Sequence, residues 1–293
     1  MRNNILVTVF TPVYNRAYII DQLYQSLCQQ TSRDFEWVVV NDGSTDNIDE
    51  LIQRYQDEGR IPIRYFKQEN GGKHRAINRG VQEANGELFF IVDSDDYILP
   101  NAVEWIIKKS KEIIDNDSFA GISGLRIKPD GSKIGGENNF LQIDSDAVEI
   151  RMKHHVTGDL AEIYKTEVLK KFPFPDFPGE KFCSEGLIWN RIAMSKKILR
   201  YCYQPLYVCE YLNDGLTATR IKCRLDSPQY SMLLYSEALN NKSIRLREIF
   251  KYNLLFWRYS ENSNKNFFEK LQMVKWYSFL FLPLGVLIRK FNK

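Results

Sequence analysis

The chain has 293 residues, of which 44% are apolar and 26% charged, with a formal net charge of +3. These values exclude disordered and fibrous polymers and suit one large globular domain with an appendage. The charge is uneven: residues 240–293 hold eleven Lys and Arg against three Asp and Glu, which leaves the longer amino-terminal part acidic and argues against a nucleic-acid partner.

Residues 5–11 read as a buried strand. Residues 17–30 place Ile19, Ile20, Leu23 and Leu27 at helical spacing, and residues 35–40 form a second apolar run, which completes a β-α-β unit. A helix over 48–58, a strand over 61–67, a helix over 75–84 and a strand over 87–92 continue the alternation. That order predicts an α/β fold with a mostly parallel sheet covered on both faces. Ligands of such sheets bind beyond the carboxyl ends of the strands, and each predicted strand does end in a polar cluster: TPVYNR, NDGSTD, QENGGKH and DSDD. After residue 118 the pattern loosens, with a strand near 120–127 and a Gly-rich turn over 129–136. After residue 226 the chain becomes helical and aromatic, so the expected division is a main domain over 1–225 and a helical, basic region over 226–293.

The five cysteines show no C-x-x-C pair, which argues against zinc and a disulfide framework and for a reducing cytoplasm. The first residues carry no apolar signal-peptide core, consistent with that expectation.

The sharpest chemical signal is Asp93-Ser94-Asp95-Asp96 at the end of a buried strand. Three carboxylates this close repel one another unless a divalent cation neutralises them, and such hard oxygen ligands suit Mg2+ or Mn2+ that also holds substrate phosphates. A cap or turn for the helix near Pro100 is the structural alternative. Calcium is excluded because the EF-hand spacing would put Ile98 where that loop needs Gly. Gly71-Gly72-Lys73 fails the Walker pattern, since His74 follows the lysine. It can still bring backbone close to a ligand, with Lys73 or Arg75 meeting a diphosphate, or simply make a turn. Asp42 sits at a strand tip, placed to accept from a base N–H or a ribose hydroxyl, while Ser44 or Asp46 is expected to cap the helix that follows. His74, His154 and His155 lack metal-ligand spacing with the cysteines and are expected in solvent or capping roles, and Trp189 is expected in the core.

TPVYNR, VVVNDGSTD, ENGGKHRAINRG and FIVDSDDYILP stand in the order and approximate spacing of the family-2 glycosyltransferases of GT-A fold, which this sequence resembles closely over residues 4–105. The resemblance implies that residues 1–225 are the catalytic domain and that Thr11, Pro12 and Tyr14 line a nucleobase pocket. It further implies that Asp42 reads the base, that Asp93 and Ser94 lie by the ribose, and that Asp93 and Asp95 serve the metal. It also implies inversion at the anomeric carbon and a UDP-sugar donor. Aligning the later W-x-R helix on Trp189 and Arg191 puts Glu185 at the family's catalytic-base position, where the family carries Asp, with Glu180 and Asp159 as rivals. The expected acceptor is a glycan or lipid-linked glycan of a bacterial surface polysaccharide. A sugar-phosphate nucleotidyltransferase and a non-catalytic nucleotide-sugar-binding module are the alternatives; the first normally wants a Gly-rich triphosphate clamp that TPVYNR does not offer.

Residues 276–288 run without a charge between Lys275 and Arg289. Thirteen residues are too few to span a bilayer, which takes about 20. With twelve Phe, Tyr and Trp between Phe250 and Phe291, the segment suits a helix lying on an anionic inner leaflet, or an ordinary helix packed on the domain. The expected location is therefore cytoplasmic, peripheral on the inner face of the cell membrane.

Overall fold

The computed structural model describes residues 6–136, 140–209 and 216–291. Its first half follows the alternation of the sequence: β1 (Val7–Val13), α1 (Asp21–Cys28), β2 (Phe35–Asn41), α2 (Ile48–Glu58), β3 (Ile63–Lys67), α3 (Lys73–Glu83) and β4 (Leu88–Ile91). Ile5, the expected start of the first strand, lies outside the described residues. The strands pair in parallel in the order β3-β2-β1-β4. Both faces of these strands are apolar, as burial between two helical layers requires: Phe35, Trp37 and Val39 enter one core, Val38 and Val40 the other.

The first helix begins four residues later than its apolar spacing suggests. Asn15 takes a left-handed φ of 52°, and the Asp46 carboxylate accepts from the Ala17 N–H at 2.8 Å. The chain between them is thereby held as a turn. For the same reason Asp46 does not cap α2, and neither does Ser44, whose hydroxyl accepts from Asn15 N at 3.0 Å. Both side chains tie the β2–α2 loop to the β1–α1 loop instead.

Beyond β4 come β5 (Tyr97–Ile98), α4 (Ala102–Ser110), β6 (Phe119–Ile127), β7 (Gln142–Ser145), α5 (Glu149–Met152), β8 (Leu160–Lys165), α6 (Thr166–Lys171), α7 (Gly186–Met194) and β9 (Ile198–Val208). Here the sheet turns mixed: β8 runs antiparallel to β4 and β6, β6 and β9 run parallel, and β5 and β7 are antiparallel to β9. The sequence predicts the parallel half and not the antiparallel one.

The remaining chain is helical, through α8 (Leu216–Asp226), α9 (Pro228–Ala238), α10 (Leu246–Ser260), α11 (Phe267–Gln272), a 3-10 helix over Trp276–Phe281 and α12 (Leu282–Phe291). Met232, Tyr235, Phe256, Trp257 and Tyr259 form a core of their own there, whereas Tyr230 of α9 enters the core of the sheet. Arg191 of α7 holds Glu237 of α9 through two 2.8 Å contacts. Among the described residues, no helix is long and apolar enough to cross a membrane.

Candidate functional site

The site is assembled at the carboxyl ends of β1, β2 and β4, beginning with Asp42. Its carboxylate, almost wholly buried, accepts from Gln68 Nε2 at 2.7 Å, Gly71 N at 2.9 Å, Gly72 N at 2.7 Å and Asn70 Nδ2 at 3.3 Å. Asp42 therefore has a structural duty that its strand-tip position does not reveal: it shapes the Asn70-Gly71-Gly72 loop ahead of α3. Gly72 takes φ of 96°, and a Cβ there would lie 2.0 Å from the Lys181 carbonyl oxygen. Only glycine tolerates both conditions.

That close approach brings in the 174–185 loop. Arg75 donates to Asp176 at 2.8 Å, to the Phe177 carbonyl at 2.9 Å and to the Glu180 carbonyl at 2.7 Å, and Lys181 Nζ donates to Asn70 Oδ1 at 2.7 Å. Arg75, one of two basic candidates for a diphosphate, is thus committed to holding the loop. His74, expected in a solvent or capping role, is instead buried, with Nε2 2.8 Å from Tyr230 OH and its ring packed on Phe174. Burial, and then the neighbouring Arg75 charge, push its pKa down to about 4. His155 lies 3.3 Å from Arg245 Nη1 through Nδ1.

Lys73, the first residue of α3, points to the sheet end. Its Nζ lies 2.6 Å from Asp93 Oδ1 and 2.9 Å from Glu185 Oε1, so one ammonium joins the acidic cluster to the start of α7. Burial opposes its charge, but Asp93 and then Glu185 outweigh burial and hold Lys73 well above the usual lysine range. Burial likewise works against the Asp93 carboxylate, and Lys73 followed by Arg126 overcomes it, keeping Asp93 below the usual carboxylate range. Asp95 and Asp96 go the other way: burial first, then the Asp93 charge, raises both, Asp96 to about 7.

Two residues that no sequence motif marks complete this cluster. Tyr207 of β9 donates to Asp96 Oδ2 at 2.6 Å and accepts from Asp93 N at 2.9 Å. Arg126 of β6 lies 4.1 Å above the Tyr207 ring and 3.9 Å from both Asp93 Oδ2 and Asp96 Oδ2. Among the described residues, no group of three or more His, Cys, Asp and Glu side chains converges on a metal cage. The donor set still fits a hard cation: Asp95 is half-buried and made uncomfortable as an anion by burial and then by Asp93, so Asp95 and Asp93 can supply carboxylate oxygens while substrate phosphates and water supply the rest.

The other predicted residues divide. Tyr14 is 49% exposed and Pro12 half-buried at the end of β1. The Thr11 side chain is fully buried, its hydroxyl accepting from Trp37 Nε1 at 2.9 Å, so it supports the core rather than lining an open pocket. Ser94 is buried beside the acids. Glu180 caps α9, accepting from Gln229 N at 2.9 Å and Tyr230 N at 3.0 Å. Asp159 is exposed. Trp189, expected in the core, is partly buried and packs against it, stacked on Tyr164 with ring centres 4.2 Å apart.

Residues 8–135 match the family described as glycosyl transferase family 2. Over those residues the chain is similar to family-2 glycosyltransferases. The chondroitin synthase of Pasteurella multocida is 34% identical over 153 residues, which is 51% of this chain and 15% of that protein, so the match spans a small part of the relative's length. Among solved structures, Staphylococcus aureus TarS 1-349 in complex with UDP-GlcNAc superposes with a TM-score of 0.63 at 20% identity, over 88% of this chain and 72% of that one. The mannosyltransferase PcManGT of Pyrobaculum calidifontis, in complex with GDP-Man and Mn2+, superposes with a TM-score of 0.58 at 18% identity, over 100% and 89%. At such identities the likeness is one of fold, and the chain has the GT-A fold.

Proposed function

We propose that the chain transfers a sugar, with inversion, from a nucleoside-diphosphate donor to a hydroxyl of a glycan or lipid-linked glycan acceptor in surface-polysaccharide synthesis. The observation that carries this reading is the Lys73 bridge, which draws Asp93 of the acidic cluster and Glu185, just ahead of α7, to one ammonium. In this reading Pro12 and Tyr14 border the nucleobase, while Asp42 acts on it through the loop it shapes. Asp93 and Ser94 lie by the ribose. UDP is the preferred nucleotide, in line with the complexes of TarS, although PcManGT holds GDP-Man.

An incoming diphosphate competes with both carboxylates for Lys73, and its capture would leave Glu185 free to accept the acceptor's proton from the face opposite the departing phosphate. Mn2+ or Mg2+ on Asp95 and Asp93 would supply positive charge for that departing group. Glu185 is favoured over its rivals because it reaches Lys73 at 2.9 Å, whereas Glu180 is spent on capping α9 and Asp159 is exposed.

Incubating the protein with a panel of nucleotide sugars and Mn2+ and measuring diphosphate release tests the proposal. One donor should be hydrolysed, and excess EDTA should stop it. Binding of nucleotide sugar without release from any donor would favour a non-catalytic module, and pyrophosphate formed from a sugar phosphate and a nucleoside triphosphate would favour a nucleotidyltransferase.

A further inference from the structure

We infer that the outer face of the carboxy-terminal helical segment docks on an anionic lipid surface. The inference stands apart from the chemistry above, because it rests on side chains remote from the Lys73 bridge.

The segment over residues 276–287 has two sides. The inner side is seated: Ser278 is fully buried and its carbonyl and hydroxyl accept from Trp257 Nε1 at 2.6 and 3.1 Å. Seven residues on, Gly285 brings α12 so close to α10 that a Cβ would meet Trp257 Cβ at 2.7 Å. The other side carries Trp276, Phe279, Leu280, Leu284 and Leu287, which are 44 to 76% exposed and recur at steps of one, three and four residues along the segment. Phe268 of α11 is 74% exposed. A row of large apolar side chains held outward by a fixed inner side is what an interfacial helix presents to a membrane.

Charge selects the occupant. Residues 240–293 carry an excess of eight positive charges. Glu269 is held in a capping box with Asn266, and Glu248 lies beside Lys251 at 3.5 Å. Lys275, next to Trp276, is exposed. Basic residues beside exposed aromatic side chains complement a leaflet of anionic headgroups.

The full chain should be sedimented with vesicles of phosphatidylcholine alone and with vesicles containing one part phosphatidylglycerol to two of phosphatidylcholine. At low salt, the anionic vesicles should take up at least about tenfold more protein, since each basic residue near such a surface favours binding several-fold. The variant Trp276→Ser/Leu280→Ser/Leu284→Ser changes exposed side chains only, so its circular dichroism should match the parent while its vesicle binding falls at least about tenfold. Equal pelleting of parent and variant, or no preference for anionic vesicles, would overturn the inference. So would a parent dimer that the same variant turns into a monomer, because the face would then belong to a second copy.

Discussion

Replacing Lys73 with methionine keeps most of the side chain's bulk and removes the charge that holds two carboxylates together. The legs of 2.6 and 2.9 Å put a ceiling of 5.5 Å on the distance between Asp93 Oδ1 and Glu185 Oε1. At that separation two negative charges repel by about 3 kcal/mol for an effective dielectric of about 20. The side chains retain 24 to 32% exposure, so water screens part of this, and Arg126 at 3.9 Å offsets part of the Asp93 charge. A net loss of about 1 to 2 kcal/mol in folding stability is expected for Lys73→Met. The double variant Lys73→Met/Glu185→Gln removes one of the repelling charges and should recover about 1 kcal/mol of that loss. Urea unfolding followed by tryptophan fluorescence measures all four corners of the cycle. If the double variant is less stable than Lys73→Met alone, the bridge is not holding two anions together and the reasoning fails.

Glu185→Gln should lower sugar transfer by about 10² to 10⁴ without weakening donor binding, because a base acts on the acceptor and a neutral side chain no longer competes with the diphosphate for Lys73; normal transfer by this variant would remove Glu185 from the mechanism. Asp42→Ala strips a buried carboxylate from two backbone N–H groups and two side-chain amides, so about 3 kcal/mol of stability should disappear together with donor affinity. An unchanged urea midpoint with weakened donor binding would make Asp42 a reader of the base alone. His74 titrates near 4 in the folded protein against an ordinary 6.5, with Arg75 reinforcing burial and Asp176 and Glu185 opposing it. The unfolded chain therefore takes up the proton first, so its contribution is complete above about pH 6.5 and lost as pH falls towards 4, reaching roughly 2 kcal/mol at pH 5. His74→Gln should lose that much less stability than the parent between pH 7 and pH 5, and equal losses would refute the assignment.

The first hundred residues are legible because their information is local. Strand alternation, helix spacing and the polar clusters at strand ends are set by neighbours within a few positions, and β1 to β4 fall close to where those patterns put them. The acidic cluster after β4 is legible for the same reason. What local pattern cannot show is which distant group a side chain will meet. His74 has the sequence neighbours of a surface residue, Lys73 and Arg75, and its burial depends on Tyr230, 156 residues away. Asp42 looks like an acid without structural work until Gly71 and Gly72 fold back on it.

The same limit separates two of the candidate bases. Glu180 and Glu185 lie five residues apart, both acidic and both ahead of an apolar helix. Their difference comes from the elements they meet. Glu180 faces the start of α9, where two unpartnered backbone N–H groups need an acceptor, and satisfying them consumes both of its oxygens. Glu185 begins α7, and the Gly72–Lys181 approach with the Arg75 clamp carries that start to Lys73. Placing a base at Glu185 thus depends on glycine at position 72: a larger residue there would push the 174–185 loop away and lengthen the contact between Glu185 and Lys73 before any reacting group was changed.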